Sequence, residues 1–236
     1  MIDKKIHQIY IDFGNGKKLE ENELFMRSIE TINELMPDYE HKIWKEGDIL
    51  DLIEREIPTF LEFYNELRYA IQRVDVARYI ILYLEGGIVM DLDLIPLKRF
   101  DNLLTTNTLF YKDKLKKDNR SIGMDFIGSI KGYKLWMIVL KDLVRNYREK
   151  EKMDIYNSWK ARFVLQTTGP YFFNRVLKEK NIKITTLDIM CYSSLIQDKF
   201  NPEETQSDFY LMNHVSGSWF DAQGIKNQQK WDWREL

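Results

Sequence analysis

The chain has 236 residues, enough for one sizeable core, and its 44% hydrophobic, 14% aromatic and 31% charged residues exclude a disordered or fibrous protein. A net charge of −2 gives no overall field favouring nucleic acid. Cys191 is the only cysteine, which excludes an internal disulfide; no apolar run approaches the ~20 residues of a membrane span, and the first residues hold no signal-peptide hydrophobic region.

In chain order, Lys5–Ile11 reads as a buried first strand, ended by the turn-rich Phe13-Gly14-Asn15-Gly16. Glu21–Met36 is an amphipathic helix with Leu24, Phe25, Ile29, Ile32 and Met36 on one side, stopped by Pro37. Tyr39–Trp44 is a second strand, and Asp48–Arg55 and Thr59–Leu67 are short helices. From Arg68 to Leu84, the positions Ala70, Val74, Ala77, Ile81 and Leu84 recur at helical spacing, and Gly86-Gly87 stops the helix. Ile88-Val89-Met90 is a short apolar strand, after which Pro96 and Leu97 lead the chain away. Thr108–Tyr111 and Asp125–Ile130 are further strands, Lys134–Arg148 and Tyr171–Lys180 helices, and Ile182–Leu187 and Phe209–Asn213 late strands. The alternation of strands and helices predicts an α/β sheet, and the absence of repeats or low-complexity linkers predicts one domain over residues 1–236.

The chemistry concentrates at Asp91-Leu92-Asp93. Strand side chains alternate, so two carboxylates one residue apart at a strand end are expected to point the same way. Such a pair suits a hard divalent cation and its phosphate ligands. Beside Ile88-Val89-Met90 these charges would cost desolvation energy without a partner. Asp75 and Arg78, three apart on the preceding helix, share a face. They form either a surface ion pair or a hold on a polyhydroxylated ligand beside the cation.

The run from Val74-Asp75 through Arg78 and Gly86-Gly87 to Asp91-Leu92-Asp93 resembles the signature of glycosyltransferase family 32, the DXD sugar transferases. That family includes fungal Golgi mannosyltransferases and bacterial and viral glycan-building enzymes, and the clostridial glucosylating toxins share the pattern. Lys5–Ile11 resembles the family's first strand and Lys42-Ile43-Trp44 its second. Thr168-Gly169-Pro170 resembles a mid-chain motif, and the stretch from His214 to Ser218-Trp219 resembles the closing one. One departure is Val89, where relatives carry a Tyr two residues before the first Asp, so the sugar specificity of relatives does not transfer.

The resemblance implies a GT-A fold, a nucleotide-sugar-binding Rossmann-like mixed sheet flanked by helices. It implies a retaining transfer of a hexosyl unit from a UDP- or GDP-linked sugar to a glycan, lipid-linked glycan or protein acceptor. Mn2+, with Mg2+ as the alternative, is the implied cofactor, held by Asp91, Asp93 and His214. Asp75, Arg78, Asp91, Asp93 and Asp125 are the implied catalytic set. The donor would meet Tyr10, Asp75, Arg78, Asp91, Thr168, Gly169, Ser218 and Trp219.

Several of these residues have a plain structural alternative. Tyr10 is either a core aromatic or a stacking surface for the base. His7, on the opposite strand face from Tyr10, reads as structural. Thr167, Thr168 and Gly169 either cap the helix opened by Pro170 or offer N–H groups to a ligand. Asp125 stands where relatives carry an Asn and is either a sugar or acceptor contact or a turn residue. Lys112, Lys114, Lys116, Lys117 and Arg120 form a basic cluster, which reads as a solvated loop or as a contact for an anionic acceptor. The tail Lys226 to Trp233 suits either a membrane interface or packing over the site. The competing functions are a metal-dependent phosphodiester or nucleotide hydrolase and a non-catalytic nucleotide-sugar-binding module. A soluble or peripheral cytoplasmic enzyme, in a bacterial or virus-infected host cytosol, is expected.

Overall fold

The computed structural model describes residues 1–14, 18–112, 122–153, 160–184, 186–192, 209–214 and 216. Strand β1 (Lys5–Ile9) stops two residues short of the predicted end and is buried from Ile6 onward. It pairs in parallel with β2 (Glu40–Trp44) on one side and with β3 (Gly87–Met90) on the other. Helix α1 (Glu23–Leu35) makes the first crossover. It begins later than predicted because Asn22 caps it, accepting from the Leu24 and Phe25 N–H groups at 3.1 and 3.2 Å. The second crossover runs through α2 (Glu46–Glu56), α3 (Leu61–Glu66) and α4 (Ala70–Leu84).

Beyond β3 the sheet turns antiparallel. β6 (Phe126–Ser129) lies antiparallel to β3 and to β5 (Thr108–Tyr111), and β7 (Thr186–Leu187) runs parallel to β5. The strand order is β2-β1-β3-β6-β5-β7. A second sheet has the order β4-β9-β8, formed by β4 (Leu94–Pro96), β9 (Leu211–Asn213) and β8 (Met190–Tyr192). Neither β4 nor β8 was anticipated. Pro96 is tolerated because β4 is an edge strand, where a missing N–H breaks no ladder.

Both faces of the large sheet are covered. Val89 and Ile127 point into a core with α4, α5 (Lys134–Glu151), α6 (Lys160–Thr167) and α7 (Pro170–Glu179). Their neighbours Ile88, Met90 and Phe126 point the other way, into a core with Ile32, Phe100 and Leu211. Alternating residues of one strand thus serve two cores, which is why β3 is apolar throughout. Helix α4 is buried almost without interruption from Val74 to Leu82, because sheet and helices enclose it. Among the described residues, no helix is long and apolar enough to cross a membrane.

Candidate functional site

β1 has parallel neighbours reached by crossovers on either side, so a crevice opens outside the carboxyl ends of β1 and β3. The chain arrives there from α4 through Gly86 and Gly87, whose φ values are +72° and +76°. A Cβ on Gly87 would lie 2.7 Å from the Lys5 Cβ and 2.8 Å from the Lys5 carbonyl oxygen, so only glycine lets β3 dock on β1. His7 secures the same junction. The Trp44 indole N–H donates to its Nδ1 at 3.1 Å, and its Nε2 lies 3.1 Å from the Gly86 carbonyl oxygen. The indole is donor only, so the ring is neutral with its proton on Nε2. Burial pushes its pKa down to about 4, in keeping with the structural role read from sequence.

Asp91 and Asp93 do not lie on the strand. Both fall beyond Met90 in a turn closed by the Leu94 N–H donating to the Asp91 carbonyl oxygen at 3.2 Å. Strand alternation therefore does not aim them; their partners do. The Asp91 carboxylate receives the Arg78 guanidinium at 2.5 Å, while the Asp93 Oδ2 accepts from the backbone N–H and the hydroxyl of Ser216, both at 2.9 Å.

Arg78 is also 3.5 Å from Asp75, and the two side chains are only 4% and 8% exposed. The surface-pair alternative for Asp75 and Arg78 is thereby overturned: α4 is the central helix, and its polar face meets the crevice. The Thr168 hydroxyl donates to the Asp75 Oδ2 at 2.9 Å, and the Tyr79 hydroxyl fixes the Thr168 carbonyl at 2.7 Å. Thr168 is fully buried, so its hydroxyl serves Asp75 rather than a ligand in the crevice. Gly169 caps α7 with its own N–H bonded to the Val164 carbonyl at 3.0 Å. Burial pushes the Asp75 carboxyl up to about 6, against the pull of Arg78 and of the Thr168 hydroxyl.

Asp125 sits directly across from Asp91, one step past the Met90–Phe126 pair, and its carbonyl oxygen accepts from the Asp91 N–H at 2.7 Å. Its carboxylate accepts from the Tyr111 hydroxyl and from the Asn213 amide. A Cβ at Gly123 would come within 1.9 Å of the Tyr111 hydroxyl, so glycine there makes room for that contact. Desolvation on the protein side pushes Asp91 up to about 8 against the pull of Arg78, and the carboxylates of Asp93, Asp125 and Asp75 add to the rise. Its side chain keeps 37% of its surface open. The surplus negative charge at this edge suits a divalent cation.

The C-terminal segment reaches the site because β9 pairs with β4, Asn213 opposite Leu94. The His214 N–H then donates to the Asp93 carbonyl oxygen at 3.2 Å. Among the described residues, no three His, Cys, Asp or Glu side chains converge as a metal cage. A pair of carboxylates still fits a cation such as Mg2+, which takes one or two carboxylates and fills its sphere with phosphate and water. Tyr10 follows β1 at the same edge, its N–H donating to the Trp44 carbonyl at 2.9 Å. Val89 is buried in the α4-side core. Ser218, Trp219, Lys114, Lys116, Lys117, Arg120 and the tail from Lys226 to Trp233 lie outside the described residues. Tyr111, Asn213 and Ser216 were not anticipated as site residues: Asn213 and Ser216 act on Asp125 and Asp93 from 88 and 123 residues away in sequence, and the closing motif that contains Ser216 does not say which of its residues meets Asp93.

Residues 22–110 match the family model described as a glycosyltransferase sugar-binding region containing a DXD motif. The chain is 30% identical to inositol phosphoceramide mannosyltransferase 3 of Schizosaccharomyces pombe, over 73% of this chain and 44% of the relative. Mannosyl phosphorylinositol ceramide synthase CSH1 of Saccharomyces cerevisiae is 28% identical over 76% of this chain and 43% of its own length. The chain therefore spans less than half of these fungal relatives. An uncharacterized glycosyltransferase, L373, of Acanthamoeba polyphaga mimivirus is 26% identical over 93% of this chain and 84% of its own length. Among solved structures, PaToxG glycosyltransferase superposes with a TM-score of 0.54 at 23% identity, over 76% of this chain and 69% of that one, a likeness of fold.

Proposed function

We infer, for a chain that belongs through residues 22–110 to the family of glycosyltransferase sugar-binding regions with a DXD motif, that the protein moves a hexosyl unit from a nucleoside diphosphate sugar to an acceptor hydroxyl. The observation that carries this reading is the buried chain Thr168–Asp75–Arg78–Asp91, which ends in the crevice beside Asp93. A fixed, half-open carboxylate of this kind orients hydroxyls and a cation together.

Asp91 and Asp93, with His214 as the late-chain third ligand, hold a divalent cation, Mn2+ or Mg2+. When bound, it supplies Lewis-acid stabilisation of the leaving diphosphate. Asp75 and Arg78 orient sugar hydroxyls, and Thr168 acts through Asp75. Asp125 meets the transferred sugar or the acceptor hydroxyl. Tyr10 stacks on the base, and Gly169, Ser218 and Trp219 complete the donor site.

In the transfer, the bond from the anomeric carbon to the diphosphate oxygen breaks and its electron pair leaves with the diphosphate. The acceptor oxygen bonds to that carbon from the same face, and its proton passes to the leaving diphosphate. Configuration is retained without a covalent enzyme intermediate. The fungal relatives are named for transfer of mannose to inositol phosphoceramide, so a mannosyl donor and a lipid-linked acceptor are the first to test. The experiment is a screen of UDP- and GDP-linked sugars with Mn2+, following release of the nucleoside diphosphate and transfer to added acceptors. Release from one donor supports the reading, and no release from any donor, with Mn2+ or Mg2+ present, refutes it.

A further inference from the structure

Gln8 is a fully buried polar residue in the middle of a strand whose neighbours Ile6 and Ile9 are core, and the transfer chemistry does not use it. A buried amide is retained at low cost only when it is hydrogen-bonded. Its Nε2 donates to the hydroxyl of Ser28 on α1 at 2.9 Å, and Ser28, itself fully buried, donates to the Leu94 carbonyl oxygen at 2.7 Å. The same Nε2 lies 3.5 Å from the Asp91 carbonyl oxygen, a second and weaker contact. Behind it, the Gln8 Oε1 accepts from His41 Nε2 at 3.1 Å, and the other His41 ring nitrogen lies 3.0 Å from the Asn33 side-chain amide. The two carbonyls reached from this network, those of Asp91 and Leu94, are the ends of the turn that carries Asp91 and Asp93.

We propose that Gln8 and Ser28 are positioning residues that hold both ends of the Asp91–Leu94 turn, and so set the spacing of the two carboxylates that take the divalent cation. The inference rests on the glycosyl-transfer reading of that turn. An open site depends on such support more than a preformed cage does, and among the described residues no three His, Cys, Asp or Glu side chains already converge there. The turn has one internal hydrogen bond, from the Leu94 N–H to the Asp91 carbonyl, and the Asp91 side chain is anchored to α4 through Arg78. The Gln8–Ser28 pair adds an anchor to β1 and α1, on the other side of the turn. His41 and Asn33 keep the Gln8 amide from rotating. Partners that orient metal ligands from behind commonly change metal affinity by about 10–100-fold when removed.

The test measures Mn2+ binding to the purified, ligand-free protein by electron paramagnetic resonance of the free ion, well below every melting midpoint. Gln8→Leu removes the amide at similar volume. Ser28→Ala removes one hydroxyl and is the milder change, should Gln8→Leu fail to fold. Ser129→Ala is the control: Ser129 is equally buried and accepts from the Trp136 indole at 2.7 Å, at the opposite end of β6 from Asp125. Gln8→Leu and Ser28→Ala are each expected to weaken Mn2+ binding at least tenfold, whereas Ser129→Ala lowers the melting temperature and leaves Mn2+ affinity unchanged. Unchanged affinity in a folded Ser28→Ala variant overturns the proposal, as does an equal loss in Ser129→Ala. A wild-type protein that binds no Mn2+ overturns the metal-site reading and this inference with it, and is distinguished from the other outcomes by the wild-type titration alone.

Discussion

Arg78→Ala is the perturbation whose size follows most directly from the geometry. Its guanidinium serves Asp75 at 3.5 Å and Asp91 at 2.5 Å, so removal orphans two carboxylates at once. Breaking a buried pair by deleting one partner costs about 3–5 kcal/mol. Asp75, only 8% exposed, takes most of that penalty, whereas Asp91, 37% exposed, is screened by solvent and adds less. For a chain of this length each kcal/mol lowers the melting temperature by about 2–4 °C, so the loss should be roughly 6–20 °C. Arg78→Lys should fall in between, because one ammonium cannot reach two carboxylates from separate nitrogens. Thermal unfolding by circular dichroism gives the stability, and nucleoside diphosphate release gives the rate, which should drop by more than about tenfold in both variants. A melting temperature within about 2 °C of wild type for Arg78→Ala would refute the buried-bridge account, since a surface pair predicts that result.

Three further outcomes are expected. The His7 pKa is lowered to about 4 from 6.5, so the unfolded state binds the proton first and wild-type stability falls as pH drops through that window; between pH 7 and pH 5 this amounts to about 2 kcal/mol that His7→Asn should not show in urea melts. Asp75, raised to about 6, contributes the opposite slope between 3.8 and 6, so the difference between the two proteins, rather than either curve, isolates His7. Gly87→Ala forces a side chain into φ +76° with its Cβ 2.7 Å from Lys5 and should cost about 2 kcal/mol or more, read from the urea midpoint. Turnover should vanish with a chelator and return with Mn2+; full turnover in chelator would remove the cation from Asp91 and Asp93.

Much of the large sheet was legible because its elements declare themselves locally. The period of α4, its stop at Gly86-Gly87 and the apolar run of β3 lie within twenty-one residues of one another along the chain, from Ala70 to Met90. The stretch Thr108–Tyr111 coincides with β5 at both ends. The second sheet was not legible, since β4 and β8 are three residues each and β4 contains Pro96, which by itself argues against a strand. The pairing of β4 with β9 is a contact between parts of the chain more than a hundred residues apart, and no local pattern encodes it. Helix α6 was missed for a similar reason: eight residues give barely two turns in which to show a period.

The same distinction runs through the site. Asp91, Asp93, Asp75 and Arg78 are identifiable by type and spacing, but three-residue spacing on a helix does not say whether the shared face is wet or buried. Burial came from the helices that enclose α4, and it changes the physics of the pair from a marginal surface contact to a bridge whose loss leaves charge stranded. Thr168 shows the converse. Its place at a helix start suggested donors for a ligand, but the fold spends its hydroxyl on Asp75 and moves its influence one residue back from the crevice. Gln8, Ser28, Tyr111, Asn213 and Ser216 each act on a carboxylate or carbonyl of the site from a different element, four of them with partners more than sixty residues away in sequence. Sequence spacing therefore exposes the side chains that carry charge into the crevice, while the residues that hold those charges in place become visible only when the strands and the C-terminal segment are brought together.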